Sequence, residues 1–312
     1  MSELAVVVLA HRDPPMVRRL IAALDGVPVF LHCDAATPAP VAGAMTSGLP
    51  ARVTVLPRRP TRLASWSLVA AELAALRVAL AATRADHLAV LSGSDHPLVS
   101  VQDLVHELAA WKEQSYLWNV ELPFPAWDTP RHPDGGLWRF TRRFLTRRDH
   151  VVFWRGIPLR WPLPRRVPAG IALRAASQWK VYARTHVERL LHLVDSRPDL
   201  IRFWRTTLVP DESFAASMLA SPALMGADAL PPCRAHAWYI RWPEGVNYHP
   251  EWLTGADFDA LAEARWAAPP TWTEAAQPSD VWELPGRKLF ARKFSTDIDA
   301  GVLDRIDAEL RS

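Results

Sequence analysis

The chain has 312 residues, 49% hydrophobic and 22% charged, with 36 Lys+Arg against 33 Asp+Glu and a net charge of +3. That is apolar material enough for a real core in one large α/β domain or two small ones, and the balance is too even to argue for a nucleic-acid partner. The two cysteines, Cys33 and Cys233, exclude a disulfide framework and a zinc pattern and point to a reducing, cytoplasmic compartment.

Residues 4–10 are a continuous apolar run, too short to span a membrane and without a basic region before it. A buried central strand is the better reading, and no integral membrane segment is expected. Asp13 then reads as a helix N-cap with Pro14 at the first helical position. Val17, Leu20, Ile21 and Leu24 give the helix one apolar face, and Gly26 ends it. Val29–His32 is a second strand closing on Asp34, and Arg52–Leu56 a third. Ser67 can cap a helix whose buried stripe is Val69, Leu73, Leu76 and Leu80. His87–Leu91 is a fourth strand, ending at Ser92-Gly93-Ser94-Asp95. Ser100 with Asp103 resembles a capping box for a helix to Trp111, and Tyr116–Val120 is a fifth strand.

The β-α-β order predicts a doubly wound, mostly parallel sheet with helices on both faces. Ligands of such sheets bind beyond the carboxyl ends of the strands. His11, Asp34 and Asp95 occupy three of those ends, which marks one rim as a binding crevice. Residues 123–170 are irregular, rich in proline, tryptophan and arginine, and read as a lid or acceptor wall or as a solvated surface loop. Residues 180–195 and 213–220 look helical.

No G-x-G-x-x-G follows the first strand, and neither G-x-x-x-x-G-K-[ST] nor G-x-S-x-G occurs. Two Asp-x-Asp strings, Asp257/Asp259 and Asp297/Asp299, come late and look like helix starts. The single carboxylate Asp95 is a poor magnesium or manganese site, so no metal is assigned. Arg292 and Lys293, with Arg287 and Lys288 behind them, are the cations available to an anionic leaving group. The other reading is a solvated basic turn, although Phe290 and Phe294 frame and anchor it. Glu212 is a carboxylate held beside Pro210 and either suits a general base or is merely exposed at the start of a helix capped by Asp211. Asp211 next to it is either a substrate contact or a helix cap. Trp179 either stacks on a sugar or belongs to the core.

Eight segments carry a resemblance to a known family in that family's order: LAHRDPP (9–15), HCD (32–34), SWSLVAAEL (65–73), LSGSDHPL (91–98), SQW (177–179), PDESF (210–214), HPEWLTGADF (249–258) and LFARKF (289–294). Together they resemble the core-2/I-branching β-1,6-N-acetylglucosaminyltransferases and the related peptide O-xylosyltransferases. The resemblance implies a GT-A-type fold over residues 1–312, with a nucleotide-binding half (1–122) and an acceptor and catalytic half (123–312). It implies an inverting, metal-independent bacterial glycosyltransferase with no cofactor. UDP-N-acetylglucosamine is the leading donor and UDP-xylose the second, with a glycan or small-molecule hydroxyl as acceptor; the alternative is an inactive glycan-binding relative. By the same likeness Glu212 is the base, Lys293 contacts the diphosphate, Asp34 lies by the nucleotide, His11, Ser67 and Asp95 line the donor side, and Trp179 the sugar or acceptor. One departure stands out. The family's second diphosphate arginine follows a histidine matched here by His249, but Pro250 and Glu251 come next, so Arg287 or Arg292 is the expected substitute.

Overall fold

The computed structural model describes residues 4–244, 249–278 and 281–312. Strand β1 (Leu4–Ala10) is buried along its whole length. Its side chains alternate between two cores: Ala5, Val7 and Leu9 join one, and Leu4, Val6, Val8 and Ala10 join the other. A strand covered on both faces has no position for a polar residue, which is why its sequence is uniformly apolar.

Helix α1 (Pro14–Ala23) starts as expected, with the Asp13 carboxylate accepting from the Met16 N–H at 3.1 Å. It leads to β2 (Val29–Cys33), α2 (Ala39–Thr46), β3 (Val53–Val55), α3 (Trp66–Ala82), β4 (His87–Ser92), β5 (Asp95–Pro97) and α4 (Val101–Trp111). The central sheet runs 180–183, β4, β1, β2, β3, and three of its four pairings are parallel. The mixed α/β, Rossmann-like sheet with helices on both faces is therefore the observed fold.

Two assignments shift. The fifth strand of the central sheet is not 116–120 but Lys180–Ala183, beside β4 and antiparallel to it. Residues 180–183 are buried at the edge of the sheet, and the helix begins only at Arg184. Tyr116 contributes a bridge to Val181, while the strand proper is Asn119–Glu121, paired with Arg174–Ala176. The second shift is at α3. Ser65 precedes its first residue, and Ser67 lies inside the first turn, where its hydroxyl accepts from the Arg62 N–H instead of capping.

A small second sheet crosses the end of the first. Trp238–Ile240 lies parallel to Phe290–Arg292, which runs antiparallel to β5 and sets Arg292 opposite Asp95. Phe290 and Phe294 are fully buried in separate clusters. The segment between them is thus pinned at both ends. The late Asp-x-Asp strings do start helices: Asp257 closes a capping box with Thr254, and Asp299 accepts from the Val302 N–H.

Candidate functional site

The carboxyl ends of β1, β2 and β4 line up on one rim, with Ala10 opposite Cys33 and Leu9 opposite Ser92. Gly93 makes the turn off β4 possible. A Cβ there would stand 2.9 Å from Val17 Cγ2 and 3.1 Å from Ala10 Cβ, inside ordinary contact. The turn delivers Asp95, fully buried, to the guanidinium of Arg292 in a buried ion pair. Asp95 also accepts from the Ser92 N–H at 2.7 Å and its hydroxyl at 3.0 Å. Burial pushes the Asp95 carboxyl up, and the charge of Arg292 opposes that shift. The guanidinium lies 3.4 Å over the Trp179 ring. Arg292 is thus fixed by a carboxylate on one side and an indole on the other.

Lys293, next in the chain, stands 4.3 Å from the ring centre of Trp252, and Arg12 stands 4.6 Å from the same ring. Desolvation first, then the charges of Arg12 and Arg292, hold the Lys293 amine below its usual value. Asp13 ties this corner down. Besides capping α1, it accepts from the Ser295 hydroxyl at 2.7 Å and the Thr296 N–H at 2.9 Å. His11 borders the same corner. Desolvation and Arg12 lower its pKa, while Asp34 pulls it up.

The carboxylate of Glu212 lies in a 3₁₀ turn, Pro210–Glu212, and the helix that follows begins at Phe214. It meets Arg139 at 3.1 Å and remains one-third exposed. Arg139 in turn lies 3.9 Å over Trp127. Beneath the turn, the buried Lys180 amine reaches Glu72 and the Asp211 carbonyl, each at 3.3 Å, and the Tyr182 hydroxyl donates to Glu72 at 2.7 Å. Strand neighbours Trp179 and Lys180 thereby join the two halves: one supports Arg292, the other supports the turn that carries Glu212.

Several expected site residues take other places. Asp211 is buried, with its Oδ1 unpartnered; burial first and Glu212 second raise its pKa to about 7. Asp34 spends Oδ1 on the Ala36 N–H at 2.6 Å and Oδ2 on the Thr61 N–H and hydroxyl, so it shapes the loop at 58–61. Asp95 orients Arg292 instead of facing outward. Arg287 is not part of the cationic corner: it pairs with Glu107 of α4 and the Ala267 carbonyl, and Lys288 pairs with Glu283 at 2.9 Å. Arg12, Trp252, Arg139, Lys180 and Glu72 went unnoticed in the sequence. Arg12 and Trp252 lay inside matched segments, and a lysine and glutamate within apolar runs at 180 and 72 were the available signal for a buried pair.

The Core-2/I-Branching enzyme family matches residues 4–262. No curated protein sequence matches the chain. Among solved structures, one similar chain is a Bacillus anthracis protein described as a glucose-1-phosphate thymidylyltransferase in complex with a sucrose: 11% identity, 61% of this chain and 75% of that one covered, TM-score 0.31. Another is HddC of Yersinia pseudotuberculosis complexed with GMP-PN: 11% identity, 59% and 79% covered, TM-score 0.29.

Proposed function

The chain belongs to the Core-2/I-branching enzyme family and is a glycosyltransferase, and within that class we propose that it inverts the sugar of a UDP-linked donor without a metal ion. The observation that carries the proposal is the cationic corner: Lys293 and Arg12 beside Trp252, with Arg292 stacked on Trp179. Fixed cations aimed at a leaving diphosphate stabilise the charge that develops there. The one carboxylate on the turn after β4, Asp95, already holds a guanidinium, and among the described residues no group of three or more His, Cys, Asp or Glu could hold a metal ion. The buried Arg292 Nε and Trp179 Nε1 have no partner among the described residues.

Glu212 is the base. One carboxylate oxygen takes the proton of an acceptor hydroxyl, the freed oxygen attacks the anomeric carbon, and the bond to the diphosphate breaks with its electron pair leaving on UDP. Arg139 orients Glu212, and the Lys180–Glu72 pair fixes its turn. General-base catalysis contributes about 10²–10⁴ in rate. N-acetylglucosamine is the leading donor sugar and xylose the second. Glu212→Gln is expected to abolish transfer while UDP still binds, and full turnover by that variant refutes the assignment. Activity is expected to persist in EDTA; strict dependence on manganese overturns the metal-free reading.

A further inference from the structure

The irregular segment after residue 141 is a set of short β-ribbons whose surface is both basic and apolar. Residues 142–166 hold eight arginines against one carboxylate, Asp149: a net +7 in a chain whose total is +3. Arg143, Arg147, Arg148, Arg155, Arg160 and Arg166 are exposed and form no ion pair among the described residues. Asp149 is taken by Arg205 at 2.7 Å. Between these arginines the large apolar side chains point outward: Trp154 is 60% exposed, Ile157 50%, Trp161 55% and Leu163 76%.

The ribbon presents them by construction. Trp154 pairs directly with Ile157 across a two-residue turn, Arg155-Gly156, whose φ angles of 48° and 78° match a tight hairpin. The two side chains therefore share one face, with Arg155 at the tip and its guanidinium 4.9 Å from the Trp154 ring. In the strand Arg160–Pro164, Trp161 and Leu163 are two residues apart and share a face by the same alternation.

We propose that this ribbon docks the protein on an anionic phospholipid bilayer. Tryptophan favours the interfacial layer, arginines meet lipid phosphates, and aliphatic tips gain by leaving water for the acyl boundary. A nucleic acid would satisfy the arginines but offers Ile157 and Leu163 nothing, which decides between the two polyanions. The ribbon is tied to the rim of the crevice. The Val151 N–H donates to the Ser65 hydroxyl at 2.9 Å, the Ser67 N–H to the Asp149 carbonyl at 3.2 Å, and the loop leading into α3 supplies Thr61 to Asp34. Docking would bring the crevice up to the bilayer and favour acceptors presented there. The inference needs neither the base nor the donor assignment.

The test is cosedimentation of the full chain with phosphatidylcholine vesicles containing about one-third phosphatidylglycerol, at about 0.1 M salt, where charges are felt over roughly 10 Å. Pure phosphatidylcholine vesicles and single-stranded DNA are the comparisons. Expected are binding to the anionic vesicles, a blue shift of tryptophan emission and release at high salt. A Trp154→Ser, Trp161→Ser, Leu163→Ser variant is expected to lose about tenfold in partitioning while its unfolding midpoint stays unchanged. A second variant, Arg147→Gln with Arg148→Gln, keeps the apolar face and is expected to bind more weakly with a shallower salt dependence. No binding to anionic vesicles, equal binding by the triple variant, or tighter retention on DNA than on vesicles overturns the proposal.

Discussion

Asp211→Asn tests the buried network under the Pro210–Glu212 turn. Asp211 is 3% exposed, its Oδ1 has no partner, and its pKa is raised from 3.8 to about 7. Burial is the main cause, followed by the Glu212 charge; Lys180 opposes the shift and Glu72 adds to it. The folded protein therefore keeps a proton that the unfolded chain gives up between pH 3.8 and about 7, and stability falls as pH rises through that window. At about 1.4 kcal/mol per unit the full loss approaches about 4 kcal/mol. Asparagine carries no titrating proton, so the variant escapes the loss. Urea unfolding, followed by tryptophan emission at about pH 4.5 and about pH 8, should show the variant gaining roughly 3–4 kcal/mol on the parent between the two. Glu212→Gln should recover part of that gain in the parent background by removing the second cause. A difference between parent and Asp211→Asn that stays constant within about 0.5 kcal/mol across those pH values refutes the buried-proton argument.

Asp307 gives the opposite sign. Burial alone would raise its pKa, but hydrogen bonds from His96 at 2.9 Å, Arg19 at 2.7 Å and Arg311 hold it well below the usual range. Asp307→Asn is expected to cost about 2 kcal/mol at neutral pH, with the difference shrinking as pH falls below 3.8 when both are compared by thermal unfolding. Phe290→Ala empties a fully buried site stacked on Trp238 at 4.8 Å and should cost about 3–5 kcal/mol in urea unfolding. Lys180→Met removes the pairing of Glu72 and the tie to the Asp211 carbonyl. It is expected to destabilise by about 3 kcal/mol and to lower kcat while leaving UDP affinity within about twofold; unchanged kcat would detach the pair from the turn it supports.

Residues 1–122 were legible in the sequence because local signals and the global fold agree there. An unbroken apolar run, an Asp-Pro cap and glycine at a strand end each have one physical meaning. Lys180–Ala183 was misread because four buried residues ahead of a helix carry no periodicity of their own, and what makes them a strand is the free edge of β4. The rim residues were found by chemistry, but their partners were not. Nothing in the sequence states that Asp95 faces Arg292 across 197 residues or that Asp211 is sealed while Glu212 is open. Such facts belong to the second sheet and the 3₁₀ turn, which form only when distant segments meet.

The cationic corner makes its own proton prediction. In the free protein Lys293 is partly desolvated and faces Arg12 and Arg292, so its amine lies below the ordinary lysine value. Asp95 neutralises one of these three charges, which leaves a surplus waiting for an anion. A bound diphosphate would reverse the electrostatic part of the shift and raise the Lys293 pKa. Between the free and the bound value, binding must then take up a proton, and UDP affinity must fall as pH rises through the free value. Calorimetry of UDP binding at alkaline pH, in buffers of differing ionisation enthalpy, should register that uptake. Lys293→Ala should lose the uptake along with about 10–100-fold in affinity, the worth of a charge-assisted contact. Arg12→Ala, which relieves one of the repelling charges, should move the falling limb to higher pH. If the parent and Lys293→Ala show the same pH dependence, the diphosphate does not sit at this lysine, and the leaving-group role passes to some other cation.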